Sequence, residues 1–134
     1  MIKTSRHQER IWALQVLYSL DLKGLIDLEQ ARKGIQQLKE ENVIDDSDHY
    51  FEGLVYGVVK KIDEYDQKIN NQAIDWDIER MPYVDRNILR IALYEMEEDV
   101  PVGVVINEAV EIAKEYAEEK SAKFINGILA RINN

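Results

Sequence analysis

The chain has 134 residues, a net charge of -9 and no cysteine; this length supports one hydrophobic core but is short for an enzyme with separate cofactor and substrate domains. Without cysteine there are no disulfides or thiolate metal sites, and the histidines, His7 and His49, lie far apart, so we expect no metal or other cofactor. The N-terminus lacks an apolar signal segment and no apolar run approaches the roughly 18 to 20 residues of a membrane span, so we expect a cytoplasmic protein that does not enter a membrane.

Capping residues predict the first two helices. Ser5 and the glutamine three residues later have capping-box spacing, which predicts a helix running to about Leu22. Its apolar face is broad enough to contact several neighbours, so we expect this helix to be central. Gly24 ends it, and Asp27 caps a second helix that runs to about Glu41.

A long bundle helix is predicted from Tyr50 to Asn71, after an acidic N-terminal segment at 45–48. Its apolar positions alternate steps of four and three, as in a coiled-coil seam: Phe51, Val55, Val58, Ile62, Tyr65 and Ile69. Gly53 and Gly57 lie one turn apart on this helix. Glycine weakens a helix, so both positions predict the close approach of another backbone.

The segment from Asn70 to Pro82 predicts a connection with one short turn near residues 76 to 80. We take it as the boundary between two lobes of a single domain covering 1–134, with an N-terminal lobe of about 1–72 and a C-terminal lobe of about 76–134.

Three further helices are predicted after this connection. Asp85 lies in the first turn of one, and Pro101 forces a restart before the final pair. The final two helices are predicted to join at Lys120 and Ser121, with Ser121 as the N-cap of the last. No segment alternates as a strand does, so the predicted fold class is all-α.

No residue pattern typical of catalysis is present. The carboxylate pairs Glu108 with Glu111 and Glu115 with Glu119 resemble solvated helix surface, because no base or metal ligand accompanies them in the sequence. The chain also lacks a glycine-rich phosphate loop and the GxSxG and HExxH motifs. We therefore predict that it is not an enzyme.

The charge is distributed unevenly along the chain. Residues 1–20 carry +2 and residues 120–134 carry +3, whereas 21–119 carry -14. Such asymmetry is a sign of polyanion contact at the two basic ends.

Cations also cluster at the start of the first and last helices, where the helix dipole favours acids. They are Arg6, His7, Arg10, Lys120 and Lys123. An anionic ligand would remove this conflict, and Phe124 beside them is a candidate stacking surface for an unpaired RNA base. The alternative for Phe124 is a position in the core, the commoner place for an aromatic on an apolar helix face.

Several segments closely resemble the NusB family of bacterial transcription antitermination factors. They are VDRNILRIALYE (84–95), the following VP pair, INEAVEIAK (106–114), SAKFINGIL (121–129), and the pattern Arg10, Ala13, Gln15, Leu17 and Tyr18. The resemblance covers nearly the whole chain. It implies an all-α NusB-like fold of two roughly perpendicular three-helix bundles.

The resemblance also implies a non-catalytic RNA-binding adaptor. Such proteins pair with NusE, a small-subunit ribosomal protein, and the pair binds boxA RNA so that RNA polymerase in the antitermination complex resists termination, notably during rRNA transcription. Some relatives dimerise by burying the RNA face, so a homodimer is also open. A helical adaptor that binds only proteins is the alternative, and a flat salt dependence of RNA binding would favour it.

Site residues follow from the same resemblance. The RNA-contacting positions fall on Lys3, Arg6, His7, Arg10, Lys120, Ser121, Lys123 and Phe124, and the NusE-facing surface includes Tyr18 and Asp85. Two departures from the family pattern are expected to have opposite effects on RNA affinity. Ser5, His7 and Gln8 dilute the N-terminal basic cluster, whereas Lys120 adds a cation.

Overall fold

The structure is a computed structural model that describes residues 4–73 and 77–133, and these residues form seven α-helices and one short 3-10 helix without any strand. The helices are α1 (Arg6–Lys23), α2 (Leu28–Asn42), α3 (Tyr50–Lys60), α4 (Ile62–Gln72), α5 (Tyr83–Glu97), α6 (Val102–Tyr116) and α7 (Glu119–Asn133). The 3-10 helix, Ile78–Arg80, lies in the predicted connection. The predicted all-α fold class is confirmed.

The caps of α1 and α2 are those that the sequence predicts. The hydroxyl of Ser5 accepts a hydrogen bond from the Gln8 backbone N–H at 3.1 Å, and Asp27 accepts one from the Gln30 N–H at 2.8 Å. Gly24 ends α1 with a φ of 70°, in the left-handed region that glycine adopts without strain. Local chemistry therefore sets both ends of α1.

The single long helix predicted from Tyr50 to Asn71 is wrong, because α3 and α4 are separated at Lys61. The backbone N–H of Lys61 bonds to Val58, three residues back, with φ and ψ of -122° and 24°. The seam continues across this break and contains no proline or glycine there, so the periodicity does not reveal it. Beyond the break, α4 packs on α5 and α7. The two-lobe division near residue 72 stays a prediction, and this packing makes Lys61 a second candidate boundary.

Gly57 is a position of close approach between α3 and α5. A Cβ added there would overlap the Tyr94 ring, whereas one added at Gly53 would meet no atom within 4 Å. Of the two glycines, only Gly57 has a close neighbour, and that neighbour is the Tyr94 side chain and not the expected backbone.

Both α1 and α5 are central, because they pack on each other and on several other helices. Their contact includes a buried polar cluster in which Asp21 accepts hydrogen bonds from Arg86, from Asn87 at 2.9 Å and from Arg90 at 3.0 Å. Arg90 also donates to both oxygens of Asp66 on α4, at 2.7 and 2.8 Å. Burial alone would raise the pKa of Asp21, but these partners outweigh it and lower that pKa.

Candidate nucleic-acid interface

Arg6 is the first residue of α1 and is exposed. The Ser5 cap fixes the backbone from which its side chain leaves the helix. The guanidinium carbon of Arg6 lies 3.8 Å from the centroid of the Tyr50 ring, which belongs to the first residue of α3. Arg6 therefore rests on an aromatic face at the protein surface.

His7 bridges two carboxylates of α6. Its Nδ1 lies 2.8 Å from Oε2 of Glu108, and its Nε2 lies 2.9 Å from Oε1 of Glu115. The hydrogen bond to Glu108 is the main cause that raises the pKa of His7; burial opposes it, and Glu115 adds to it. No histidine lies near these carboxylates in the sequence. The fold brings His7 of α1 to them, and there it links α1 to α6.

We expect this bridge to make stability depend on pH. A protonated imidazole donates from both nitrogens, and its raised pKa means that its stabilisation is complete below about pH 6.5 and is lost as pH rises through the pKa in the folded state. Replacing His7 with asparagine should therefore lower the melting temperature more at about pH 6 than at about pH 8.5. Equal losses at both values would contradict the bridge.

Arg10 does not face solvent, in contrast to the expectation of an RNA-contacting cation. Its side chain is 6% exposed, and its Nε donates to both carboxylate oxygens of Glu95 at 2.9 and 3.0 Å. Its Nη1 lies 3.7 Å from Glu108. Burial alone would lower the pKa of Arg10, but the contacts with Glu95 and the nearby charges outweigh it and raise that pKa. The physical reason for the difference is an acidic partner on α5 that removes the need for an external anion.

The start of α7 also differs from the prediction. The helix begins at Glu119, and the carbonyl of Glu118 accepts hydrogen bonds from the backbone N–H groups of Ser121 at 2.9 Å and Ala122 at 3.3 Å. Ser121 is therefore a buried residue of the first turn, and its predicted N-cap role is wrong. The helices join at Ala117 and Glu118.

Two cations of the first α7 turns are at the surface. The Lys120 side chain is 84% exposed and its Nζ lies 3.3 Å from Glu118, and Lys123 is exposed as well. Phe124 is half-buried and packs on the core, and its role as a stacking surface for RNA stays a prediction. Lys3, the remaining basic candidate, lies outside the described residues.

The helix α6 connects the two basic segments. His7 at the start of α1 bonds to Glu115, and α7 begins four residues later at Glu119. Four residues of chain span at most roughly 14 Å, so the first turn of α7 lies near the segment of α6 that holds His7.

The two candidate partner-facing residues lie in different environments. Tyr18 is exposed and makes an edge-to-face contact with Tyr83, with 6.2 Å between ring centroids. Asp85 is only 4% exposed, and its Oδ1 has no hydrogen-bond partner among the described residues. Burial raises the pKa of Asp85, and a hydrogen bond from Ser121 opposes that rise. Asp85 thus faces α7, so the expected surface position is not found.

Sequence reasoning missed Tyr50 and Tyr83, which contact the candidate residues Arg6 and Tyr18. Each is the first residue of its helix, and an aromatic at that position was the one available signal. The Arg86 guanidinium carbon lies 4.3 Å from the centroid of the Tyr83 ring, and Arg86 also pairs with Asp21. Arg86 therefore joins the Tyr18–Tyr83 pair to the buried cluster around Asp21.

The described residues contain no group of side chains that could hold a metal ion. No helix within residues 4–73 and 77–133 is long and apolar enough to cross a membrane.

An all-α bundle with exposed cations at two helix starts and an exposed tyrosine pair is, as a class, a binding module. The family model for the NusB family matches residues 7–134, and the chain belongs to that family. The chain is 55% identical over 130 residues to the transcription antitermination protein NusB of Halothermothrix orenii, covering 97% of each chain. It is 37% identical to the NusB of Bacillus subtilis, over 96% of this chain and 95% of that one.

Solved structures agree with these matches. T. maritima NusB has a TM-score of 0.78 and 34% identity, covering 98% of this chain and 92% of that one. A crystal structure of the antitermination factors NusB and NusE in complex with double-stranded RNA has a TM-score of 0.80 and 32% identity, covering 96% and 97%. The expected family, its all-α fold and its non-catalytic role as a transcription antitermination factor are confirmed.

Proposed function

We propose that this chain is an RNA-binding adaptor that acts with NusE on boxA RNA and supports processive transcription of ribosomal RNA operons. The observation that carries the proposal is the match, over 96% of this chain, to a NusB that is seen together with NusE and RNA. In this role the chain works in the cytoplasm, within the RNA polymerase antitermination complex.

The proposed phosphate contacts are those candidate cations that the structure shows to be exposed, together with Lys3. Arg6, Lys120 and Lys123 would neutralise phosphates, and Lys3 is proposed with them from its place in the sequence. The exposed part of Phe124 would stack on an unpaired base. Arg6, Lys120 and Lys123 are surface side chains, so their removal leaves the core intact, whereas Phe124 also packs on the core.

The other candidate residues are proposed to support the surface from within. Arg10 and His7 join α1 to α5 and α6, because their polar groups bond to carboxylates there, and Ser121 is buried in the first turn of α7. A role in shaping the surface fits these positions better than direct contact with phosphate.

Tyr18 together with Tyr83 is the proposed NusE surface, because a solvent-exposed aromatic pair suits protein recognition. Asp85 would act there indirectly, through its packing against Ser121. A homodimer that buries the cations would compete with RNA, and sedimentation of the free chain with and without RNA tests this.

Reversing the charge of an exposed cation tests the RNA surface. Lys123→Glu should weaken binding of a boxA-like RNA roughly four- to tenfold and reduce the slope of log K against log salt by about 1, because one phosphate contact is lost. The melting temperature should change little, since Lys123 is exposed. Fluorescence anisotropy over a salt series measures the RNA affinity and its salt slope.

Lys33→Glu on α2 is the matched control, since Lys33 is also exposed and the charge change is the same. It should leave RNA affinity close to that of the wild type. Equal effects of the two changes would mean that net charge alone governs binding. Weak binding with a flat salt dependence in the wild type would favour the adaptor that binds only proteins.

A further inference from the structure

The side chain of Arg6 has a defined resting place although it is exposed. Its guanidinium carbon lies 3.8 Å from the centroid of the half-buried Tyr50 ring. A cation over the face of an aromatic ring is attracted by the ring quadrupole, and arginine adds stacking of its planar group. The guanidinium has five N–H donors, and a cation–π contact leaves donors available to an anion.

Tyr50 is itself held by a buried ion pair. Its hydroxyl donates to Glu95, which is 2% exposed and also accepts two hydrogen bonds from Arg10. The Arg10 guanidinium carbon lies 5.9 Å from the centroid of the same ring. Burial is the main cause that raises the pKa of Tyr50, and Glu95 adds to it, so the phenol stays neutral and donates. A continuous set of contacts thus runs from the Arg10–Glu95 pair to the exposed Arg6.

We propose that Tyr50 is a positioning residue of the RNA-binding surface, whose ring holds the Arg6 guanidinium ready for a phosphate of bound RNA. This inference rests on the proposed function. A free arginine side chain loses much rotamer freedom when it binds a phosphate, and one already held over a ring loses less, so the stack strengthens binding without touching RNA. A guanidinium that lies over a ring can still donate two parallel N–H bonds to one phosphate, the bidentate geometry that arginine and phosphate favour.

A double-mutant cycle tests the inference. Tyr50→Leu should weaken binding of a boxA-like RNA, measured by anisotropy with NusE present, about two- to fivefold. In the Arg6→Gln background the same change should have no further effect, because the cation that Tyr50 positions is gone. Tyr50→Phe keeps the ring and should retain most of the affinity. Tyr56→Leu, another tyrosine replacement on α3, is the control and should leave RNA affinity unchanged.

Two results would overturn the inference: an unchanged affinity in Tyr50→Leu, or an equal loss with and without Arg6. If the leucine variant does not fold, Tyr50→Met serves in the same cycle, since methionine is a flexible side chain that fills irregular space.

A second measurement does not depend on RNA. In the NMR spectrum of the free protein, the Nε–H proton of Arg6 should show an upfield ring-current shift in the wild type and in Tyr50→Phe, and lose it in Tyr50→Leu. An identical shift in all three would disprove the stack. If the wild type binds no boxA-like RNA, the proposed function fails, and this spectrum still decides whether Tyr50 holds Arg6.

Discussion

Replacing Arg10 with glutamine is expected to lower the free energy of unfolding by about 3 to 5 kcal/mol. The change leaves the Glu95 carboxylate, which is 2% exposed, without the guanidinium that donates to both of its oxygens. Removing one partner of a buried pair strands the other charge in a medium that solvates it poorly. For a chain of this size the melting temperature should fall by roughly 10 to 20 °C.

Arg6→Gln is the matched control, because Arg6 lies one helical turn earlier on α1 and is exposed. It should change stability little while it weakens RNA binding. The double variant Arg10→Met with Glu95→Gln should recover part of the loss, since no charge is then left unpaired. A melting temperature of Arg10→Gln close to that of Arg6→Gln would show that the pair does not hold α1 on α5.

The partner NusE is expected to tighten RNA binding by about 5- to 150-fold, the range typical of coupled sites. At the starts of α1 and α7 the described residues offer only three exposed candidate cations, Arg6, Lys120 and Lys123, on a body of net charge -9. RNA held by the free chain alone should therefore be bound weakly at physiological salt. A basic partner would cover part of the acidic surface and extend the cationic track. The complex would then contact phosphates that neither protein contacts alone.

Linkage requires that RNA tighten the protein pair by the same factor, so both legs of the cycle should be measured. Calorimetry gives the affinity for NusE with and without RNA, and anisotropy gives the affinity for RNA with and without NusE. Tyr18→Ala should reduce the enhancement by NusE and leave RNA binding by the free chain unchanged, because Tyr18 is exposed in the pair with Tyr83. An unchanged RNA affinity and salt slope on adding NusE would refute the adaptor mechanism.

Much of the fold could be predicted because its signals are local. Ser5, Gly24 and Asp27 each act on a backbone group within three or four residues, and the structure has all three in their expected roles. The break at Lys61 and the start of α7 at Glu119 could not be read in this way. At neither place does a helix breaker mark the change, and the packing of α4 on α5 and α7 selects the geometry.

The candidate site could likewise be predicted only in part. Its basic ends could be predicted, because cations at a helix start oppose the dipole wherever the helix lies. Which of those cations face solvent could not, although Arg10 does stand four residues before the buried Leu14 and so on the apolar stripe of α1.

The all-α class, the first two helices, the uneven charge and the family could be inferred from the amino-acid sequence, since each depends on residue type and short-range spacing. Three contacts follow from the packing of the helices: Arg6 rests on Tyr50, His7 bridges Glu108 and Glu115, and Arg10 is buried beside Glu95. These partners lie on other helices. Tyr50 is 44 residues from Arg6 along the chain, and the hydrogen-bonded partners of His7 and Arg10 are 85 to 108 residues away. Whether such a cation is paired and buried or faces solvent depends on which acid the packing brings opposite it, and no local pattern contains that information.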